Sequence, residues 1–399
     1  MQPKIIELND VLDYQQPTPY IVKSTDYMES GDVPVLTPGK TFILGYTKEK
    51  EGIFTGPFPV IIFDDFTTAT KLVNFPFKVK SSAMKILLPK SNADVKFIFY
   101  FLQTIHFQAD THKRYWISVC AKTKLALPPM AEQKRIVKKI EELFGVIDKQ
   151  VKRLEATQED LISYRQSILQ QAFSGKLCKT PTLEEVPLKK CCLPVIKRKD
   201  SKDPSEKFLY LDIASIDNKT NKIIEGTPYT GDTAPSRARQ IVQKDDILFS
   251  TVRTYLKNIA LITASKYDNQ IASTGFCVIR ANQKMLLPHF IFYKTLSDAF
   301  LSHLNAKQRG SSYPAVRNGD VLNSIIELPS LSEQKAIVKK IENAFAFADK
   351  AQAAITGALE QAKQLKQSIL KRAFEGKLVP QDPNDKPVDL TQLKKDKHK

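Results

Sequence analysis

The sequence predicts a mixed α/β chain: two α+β domains, each running into a long helix, with the two helices pairing as an antiparallel coiled coil in a pseudo-twofold internal repeat. Three observations carry this. A segment of about fifty residues recurs without a gap, each copy shows a seven-residue apolar step, and the two intervening stretches carry short apolar runs.

The repeat comes first. Leu127-Pro128-Pro129-Met130-Ala131-Glu132-Gln133-Lys134 returns 201 residues on as Leu328-Pro329-Ser330-Leu331-Ser332-Glu333-Gln334-Lys335, and 24 of 52 aligned positions are identical. Each copy reads as one helix. Prolines precede it, Ser330 with Glu333 forms a capping-box pattern in the second copy, and Gly175 and Gly376 stand where a C′ glycine would end it. Between these signals there is no proline. Ile140, Ile147, Leu154, Leu161 and Ile168 step by sevens, and Val137, Phe144 and Val151 form the second row of an a/d seam. The other copy supplies Ile341, Ala348, Ile355, Ala362 and Ile369, with Val338, Phe345, Gln352 and Leu359. Forty residues at 1.5 Å each make a rod of about 60 Å whose apolar stripe needs a partner. The other copy is the simplest one, and Gln158 and Arg165 on the seam would set register. Packing of each helix on its own domain, or dimerisation, is the alternative.

The boundaries follow. Residues 1–126 and 179–327 form the two domains, 127–178 and 328–380 the helical segments, and 381–399 a basic tail expected to be weakly ordered at its end. Phe97-Ile98-Phe99-Tyr100 recurs as Phe290-Ile291-Phe292-Tyr293, predicting a helix in each domain. Val60-Ile61-Ile62-Phe63, Ile247-Leu248-Phe249 and Gly275-Phe276-Cys277-Val278-Ile279 read as buried strands.

Composition narrows the function. A formal charge of +17 favours a polyanionic partner, because each Lys or Arg at a phosphate releases counterions. No apolar run is long enough for a membrane helix, and Met1-Gln2-Pro3-Lys4-Ile5-Ile6-Glu7 lacks a secretory pattern, so a cytoplasmic location without membrane contact is expected. The five cysteines (Cys120, Cys178, Cys191, Cys192, Cys277) show no metal spacing, and the five histidines are scattered, His106 and His112 included; no metal site is expected. Enzyme motifs are also missing. There is no Gly-x4-Gly-Lys followed by Ser or Thr, and Gly totals only 14 in 399. Neither Leu127-Pro128-Pro129-Met130 nor Asn74-Phe75-Pro76-Phe77 completes the Asn-Pro-Pro-Tyr type of motif of an amino-methyltransferase.

The order of variable domain, Leu-Pro-x-x-x-Glu-Gln helix, variable domain and repeated helix resembles the specificity subunits of type I restriction-modification systems along essentially the whole chain. Gly376-Lys377-Leu378-Val379-Pro380-Gln381-Asp382-Pro383-Asn384-Asp385 is similar to the segment that follows the second helix in many of them. Inside the domains, Ile62-Phe63-Asp64-Asp65-Phe66-Thr67-Thr68 and Phe77-Lys78-Val79-Lys80-Ser81-Ser82-Ala83 resemble one recognition-domain subfamily. Pro235-Ser236-Arg237-Ala238-Arg239, Leu248-Phe249-Ser250-Thr251-Val252-Arg253, Ala272-Ser273-Thr274-Gly275-Phe276 and Gly310-Ser311-Ser312-Tyr313-Pro314 resemble another. The Trp-x4-Leu-Gly-Glu opening of many members is absent, and Ile5-Ile6-Glu7-Leu8 stands there instead.

The resemblance implies a non-catalytic subunit with two target-recognition domains. Each would read half of a split site in double-stranded DNA, and the helices would set the gap. Two methyltransferase subunits would dock on it, and motor-nuclease subunits would join for cleavage. S-adenosylmethionine, ATP and Mg would be bound by those partners and no cofactor by this chain. The seam residues Ile140, Phe144, Ile147, Leu154, Leu161, Ile168, Ile341, Phe345, Ile355 and Ile369 would serve the spacer and docking role.

For DNA contact in the second domain, Arg237, Arg239, Arg253 and Arg309 are the candidates, since Arg matches guanine O6/N7 or clamps phosphate; Ser250, Thr274 and Tyr313 accompany them. In the first domain one carboxylate of Asp64 and Asp65 could accept from a cytosine amine while the other orients a neighbour, beside Thr67, and Lys71, Lys78, Lys80, Ser81 and Lys85 could position phosphates. Lys113, Arg114, Tyr115 and Trp116 combine basic and aromatic character, although Trp116 also suits a core. Two other classes stay open: a scaffold whose charge is incidental, and a two-domain nuclease needing a divalent metal.

Overall fold

The computed structural model describes residues 4–37, 41–90, 92–105, 115–175, 184–198 and 205–388. It divides into two compact units that cut across the chain order. The first takes residues 1–154 and 357–399, the second residues 155–356, so each long helix contributes to both. The positions 126/127 and 327/328 fall within the strands Lys124–Leu127 and Ile325–Leu328, and the long helices begin at Met130 and Leu331; compactness follows other lines.

In the first unit the run Val60–Asp64 forms a strand buried along its whole length. A strand covered on both faces needs apolar side chains pointing both ways, which is why it reads as continuous rather than alternating. Ile61 and Phe63 face a core with Leu87, Phe97 and Ile98 from the helix Val95–Leu102. Val60 and Ile62 face a second core with Leu36, Phe54, Phe77 and Val79. Its sheet runs Leu12–Gln15, Met84–Pro89, Val60–Asp64, Thr70–Val73, antiparallel throughout. A three-stranded sheet of Ile43–Thr47, Val33–Leu36 and Lys78–Val79 lies on the second core.

The second unit repeats the scheme with different residues. Ile247 and Phe249 of the strand Ile247–Ser250 face a core with Phe290 and Ile291 of the helix Pro288–Leu296, and Leu248 faces a second core with Leu211, Ala260 and Val278. Ile247–Ser250 lies between Ile259–Leu261 and Phe276–Ile279, and a four-stranded sheet orders Thr227–Thr230, Lys207–Leu211, Ile271–Ser273, Ala238–Ile241.

Each domain also closes on itself just before its helix. Lys4–Glu7 pairs antiparallel with Lys124–Leu127, and Glu184–Pro187 pairs with Ile325–Leu328; Leu8 and Leu188, directly after the first strand of each pair, are fully buried. The unusual opening Ile5-Ile6-Glu7-Leu8 therefore fills the place that Glu185-Val186-Pro187-Leu188 fills in the second domain.

The long helices span Met130–Phe173 and Leu331–Phe374. Their starts explain the repeated motif. The Gln133 side chain is fully buried; its Nε2 donates to the Asn92 and Pro128 carbonyls (3.1 and 2.9 Å) and its Oε1 accepts from the Asp94 N–H (2.8 Å). Gln334 does the same with the Met285 and Pro329 carbonyls (2.8 and 2.9 Å) and the Leu287 N–H (2.7 Å). Each glutamine thus staples the first turn of a long helix to the loop ahead of the Phe-Ile-Phe-Tyr helix. The capping box is present in the second copy, where the Ser330 N–H donates to Glu333 (2.8 Å). Gly175 and Gly376 adopt positive φ (73° and 70°), and the Lys377 N–H donates back to the Arg372 carbonyl (2.8 Å), closing the last turn.

Along the seam, Ile140, Ile147, Ile341, Ile355 and Ile369 are buried, while Phe144, Leu154, Leu161, Ile168 and Phe345 are half-buried. Within the first unit, Ile369, Leu370 and Ala373 share a core with Val137, Ile140 and Ile147, and Lys366 pairs with Asp148 (2.5 Å) over the Phe144 ring. Within the second, Leu169 and Ala172 share a core with Ile337 and Ile341, and Arg165 pairs with Asp349 (2.5 Å) over the Phe345 ring. Packing of each helix on its own domain, weighed as an alternative to helix pairing, is thus present alongside contact with the other helix.

The segment after the second helix is better fixed than its composition suggests. Arg135 clamps Asp385 through two hydrogen bonds (3.1 and 2.6 Å), Lys4 donates to the Val388 carbonyl (3.1 Å), and Leu378 and Val379 pack on the first core. The end of the tail, residues 389–399, lies outside the described residues. No described helix is long and apolar enough to cross a membrane.

Candidate nucleic-acid interface

In the second domain the candidates gather at one edge, and backbone geometry places them there. After the strand Ile247–Ser250 the chain turns sharply. Ser250 Oγ donates to the Val252 carbonyl (3.0 Å), and the Thr251 N–H and hydroxyl both donate to the Gly275 carbonyl (3.0 and 2.9 Å). The Thr251 carbonyl accepts from the Val316 N–H (2.9 Å), and the Thr274 N–H donates to the Arg237 carbonyl (2.9 Å). Arg237, Ser250, Arg253, Thr274 and Tyr313 therefore sit on adjoining, hydrogen-bonded segments. Gln240 holds the edge from beneath: buried, it donates to the Ser273 and Phe276 carbonyls (2.7 and 3.0 Å). No sequence signal singled it out.

Arg253 has a left-handed backbone (φ 48°), with its N–H on the Pro314 carbonyl (2.7 Å), Nη2 on the Ser312 carbonyl (3.1 Å), and its guanidinium 4.7 Å from the centre of the Tyr313 ring. Tyr313 is 70% exposed. Thr254, at the start of the short turn Thr254–Leu256, is buried and bonded to Asn305 and Gln308 (2.5 Å each). Arg237 is exposed, whereas Arg239 is half-buried with Nε on the Ser236 carbonyl (2.9 Å). Arg309 is exposed but paired with Asp320 (3.1 Å); the Arg317 N–H, and then Arg309, hold the Asp320 carboxyl below its usual range.

The first domain needs corrections. Asp64 is buried and bonded to its own turn: it accepts from the Phe66 N–H (3.0 Å) and from the Thr67 hydroxyl. Asp65 and Lys85, each 1% exposed, face each other at 3.4 Å; Asp65 also accepts from the Trp116 N–H (2.8 Å), and Lys85 donates to Gln16 (2.9 Å). Lys78 is equally enclosed, on the Glu51 and Gly52 carbonyls (2.6 and 3.0 Å) and Glu49 (3.1 Å). A buried ammonium or carboxylate bonded internally cannot reach a phosphate or base edge. Asp64, Asp65, Lys78 and Lys85 are therefore internal braces. Thr67, Lys71 and Lys80 remain exposed, and Ser81 half-buried, its Oγ accepting from the Ala83 N–H (3.3 Å). Trp116 is core, against Phe63 and Tyr14. Lys113, Arg114, His106 and His112 lie outside the described residues.

The two domains nonetheless build the same edge. Asp65 follows the central strand as Thr251 does, with its N–H on the Ala83 carbonyl (2.9 Å) and its carbonyl accepting from Tyr115 (3.0 Å). Ala83 and Tyr115 thus correspond to Gly275 and Val316. Phe66 and Thr67 project from the first edge where Val252 and Arg253 project from the second. Sequence comparison of the domains gives no hint of this correspondence, because backbone atoms make the bonds.

Among the described residues no cluster of His, Cys, Asp and Glu could hold a metal, and Cys120, Cys191, Cys192 and Cys277 are free thiols; Cys178 lies outside them. Burial, and then Asp65, push the Cys120 thiol up to about 12.

A family model described as the type I restriction modification DNA specificity domain matches residues 3–156 and again residues 189–361. The specificity subunit of the type I restriction enzyme EcoR124I/EcoR124II of Escherichia coli is 29% identical over 373 residues, covering 84% of this chain and 85% of that protein. The EcoBI specificity subunit, also from Escherichia coli, is 25% identical over 366 residues, covering 83% and 76%. Among solved structures, the HsdS subunit from Thermoanaerobacter tengcongensis is 41% identical with a TM-score of 0.43; the match covers 46% of this chain and 47%, about half, of that one. The two matched stretches take in most of the sequence, each running from one domain into the long helix after it: the chain belongs to the type I restriction modification DNA specificity family.

Proposed function

We propose that this chain reads a split site in double-stranded DNA, one half per domain, and has no catalytic centre of its own. One observation carries the reading: the same hydrogen-bonded edge is built twice, once per domain, with different side chains projecting from it. Phosphates would be positioned by exposed basic and polar groups such as Lys71, Lys80 and Arg237, and bases read by residues held in fixed directions, Arg253 above all. Thr67, Ser81, Arg239, Arg309 and Tyr313 flank those groups. Ser250 and Thr274 act through the turns they shape.

The helices fix the gap and receive the partners. Asp148 meets Lys366 and Arg165 meets Asp349, so a 17-residue step up one helix matches a 17-residue step down the other. That constant register supports an antiparallel coiled coil and a pseudo-twofold arrangement. Val146 and Phe347, then Tyr164 and Leu365, occupy equivalent repeat positions and stay exposed. Duplicated apolar positions suit two copies of one partner, the methyltransferase subunits, with motor-nuclease subunits joining for cleavage. S-adenosylmethionine, ATP and Mg belong to those partners. Two readers on one spacer gain avidity only when half-site separation matches it.

The test is single-molecule methylome sequencing of cells expressing the chain with its methyltransferase subunit. A new N6-methyladenine mark at one split motif is expected. An assembled complex that leaves no mark refutes the reading.

A further inference from the structure

We infer that Arg253 is a specificity-determining residue that reads one guanine in the major groove, with Tyr313 as its platform; this rests on the DNA-reading function above. Two features of Arg253 cost stability, and a third returns little. Its backbone is left-handed (φ 48°), a region non-glycine residues seldom occupy. Its Nε is buried and has no hydrogen-bond partner. Its ring partner, Tyr313, remains 70% exposed, so the stack buries little apolar surface. Together they fix the direction of the guanidinium.

What that direction leaves available is specific. With Nε enclosed, the side-on approach through Nε and Nη2 is closed. Nη2 gives one hydrogen to the Ser312 carbonyl (3.1 Å), leaving its second hydrogen and both on Nη1 for an end-on, two-point contact. Among base edges in the major groove, guanine alone presents two adjacent acceptors, O6 and N7. Among the described residues no carboxylate forms an ion pair with Arg253, so its charge is not spent. A phosphate clamp needs charge and little direction; a base reader needs the direction that this strained, stacked geometry supplies.

The test compares the methylomes of wild type, Arg253→Lys, Tyr313→Phe and Tyr313→Ala, each expressed with the methyltransferase subunit. Lysine keeps the charge and loses the planar fork. The wild-type motif is expected to hold a guanine, in one half only, that becomes degenerate in Arg253→Lys while the other half and the gap are unchanged. Tyr313→Phe keeps the motif and Tyr313→Ala partly relaxes it. An unchanged motif in Arg253→Lys, or no guanine in the affected half, overturns the inference and leaves the DNA-reading function standing. Absence of any split mark from wild type removes both.

Where Arg253→Lys abolishes methylation, binding by the purified wild-type complex decides. Replacing the critical guanine by 7-deazaguanine, which lacks N7, should weaken binding roughly 5- to 150-fold, while inosine, which keeps O6 and N7, should not. Equal tolerance of both at every guanine overturns the inference. So does a uniform loss in Arg253→Lys with a shallower salt dependence, the signature of a phosphate contact.

Discussion

Replacing Gln334 by alanine should loosen the junction between the second long helix and its domain. The side chain is fully buried and makes three hydrogen bonds of 2.7 to 2.9 Å, two as donor and one as acceptor. Its loss strands the Leu287 N–H and the Pro329 carbonyl, while the Met285 carbonyl lies nearer solvent. At about 1–3 kcal/mol for each buried group left unpaired, less what water recovers, the cost is about 2–4 kcal/mol. The Leu287 amide reports it directly. Its hydrogen exchange should accelerate by roughly 30-fold or more, together with the first turn of the helix, before any global change. Gln133→Ala should give the same signature at the Asp94 amide, which bonds Gln133 at 2.8 Å. Gln334→Glu is the sharper control: it keeps an acceptor for Leu287 but puts oxygen against two carbonyls, and should be at least as damaging as alanine. Exchange at Leu287 within threefold of wild type in Gln334→Ala would refute the reasoning, because the motif would then have no clamping role.

Four further outcomes are expected. Lys85→Met should destabilise the first unit by about 3–5 kcal/mol in urea unfolding, because it leaves the Asp65 carboxylate buried and unpaired; a neutral effect would count against the internal ion pair. Lys71→Ala and Lys80→Ala should leave stability unchanged yet each lower the salt slope of DNA binding by about 1, and unaltered slopes would remove them from the interface. Arg135 holds the Asp385 carboxyl below its usual range, so the attachment of residues 377–388 is complete above the ordinary Asp range near pH 4. It weakens as pH falls through the depressed value; proteolysis of that segment should rise there in wild type and show no such step in Asp385→Asn. Phe347→Asp combined with Tyr164→Asp should cut methyltransferase docking from two copies to one in native mass spectrometry, and retention of two copies would place docking elsewhere.

How much of this was legible in the sequence varies by element. The long helices were legible because their signals are local: a seven-residue step, a capping box and C′ glycines that adopt the positive φ required of them. The strands Val60–Asp64 and Ile247–Ser250 were legible because strands covered on both faces read as unbroken apolar runs. The compact units were not, because a Leu370 that shares a core with Ile140 is 230 residues away along the chain. The charged residues of the first domain misled for a related reason. Asp65, Lys78 and Lys85 look like surface groups by type, and only the fold reveals that each is enclosed with an opposite charge or a carbonyl. Of the arginine candidates, Arg237 and Arg309 are exposed and Arg239 and Arg253 half-buried.

The contrast between repeated helices and dissimilar domains has a physical basis in where the bonds lie. In the helices, side chains make the contacts that matter: Gln133 and Gln334 clamp carbonyls, and Asp148 and Asp349 meet cations at matched positions. A substitution there changes the bond itself, so two copies doing one job keep one sequence. At the proposed reading edge the reverse holds. The N–H and carbonyl of Asp65 and of Thr251 make the same two bonds although one side chain is an acid and the other a hydroxyl. The backbone fixes where the next residues project without dictating what they are, which is how Phe66 and Thr67 come to stand where Val252 and Arg253 stand. Under the proposed function, such an edge would change its base preference by substitution at a few projecting positions while its supporting hydrogen bonds stay intact, provided the braces beneath it, Lys85 in one domain and Gln240 in the other, remain satisfied.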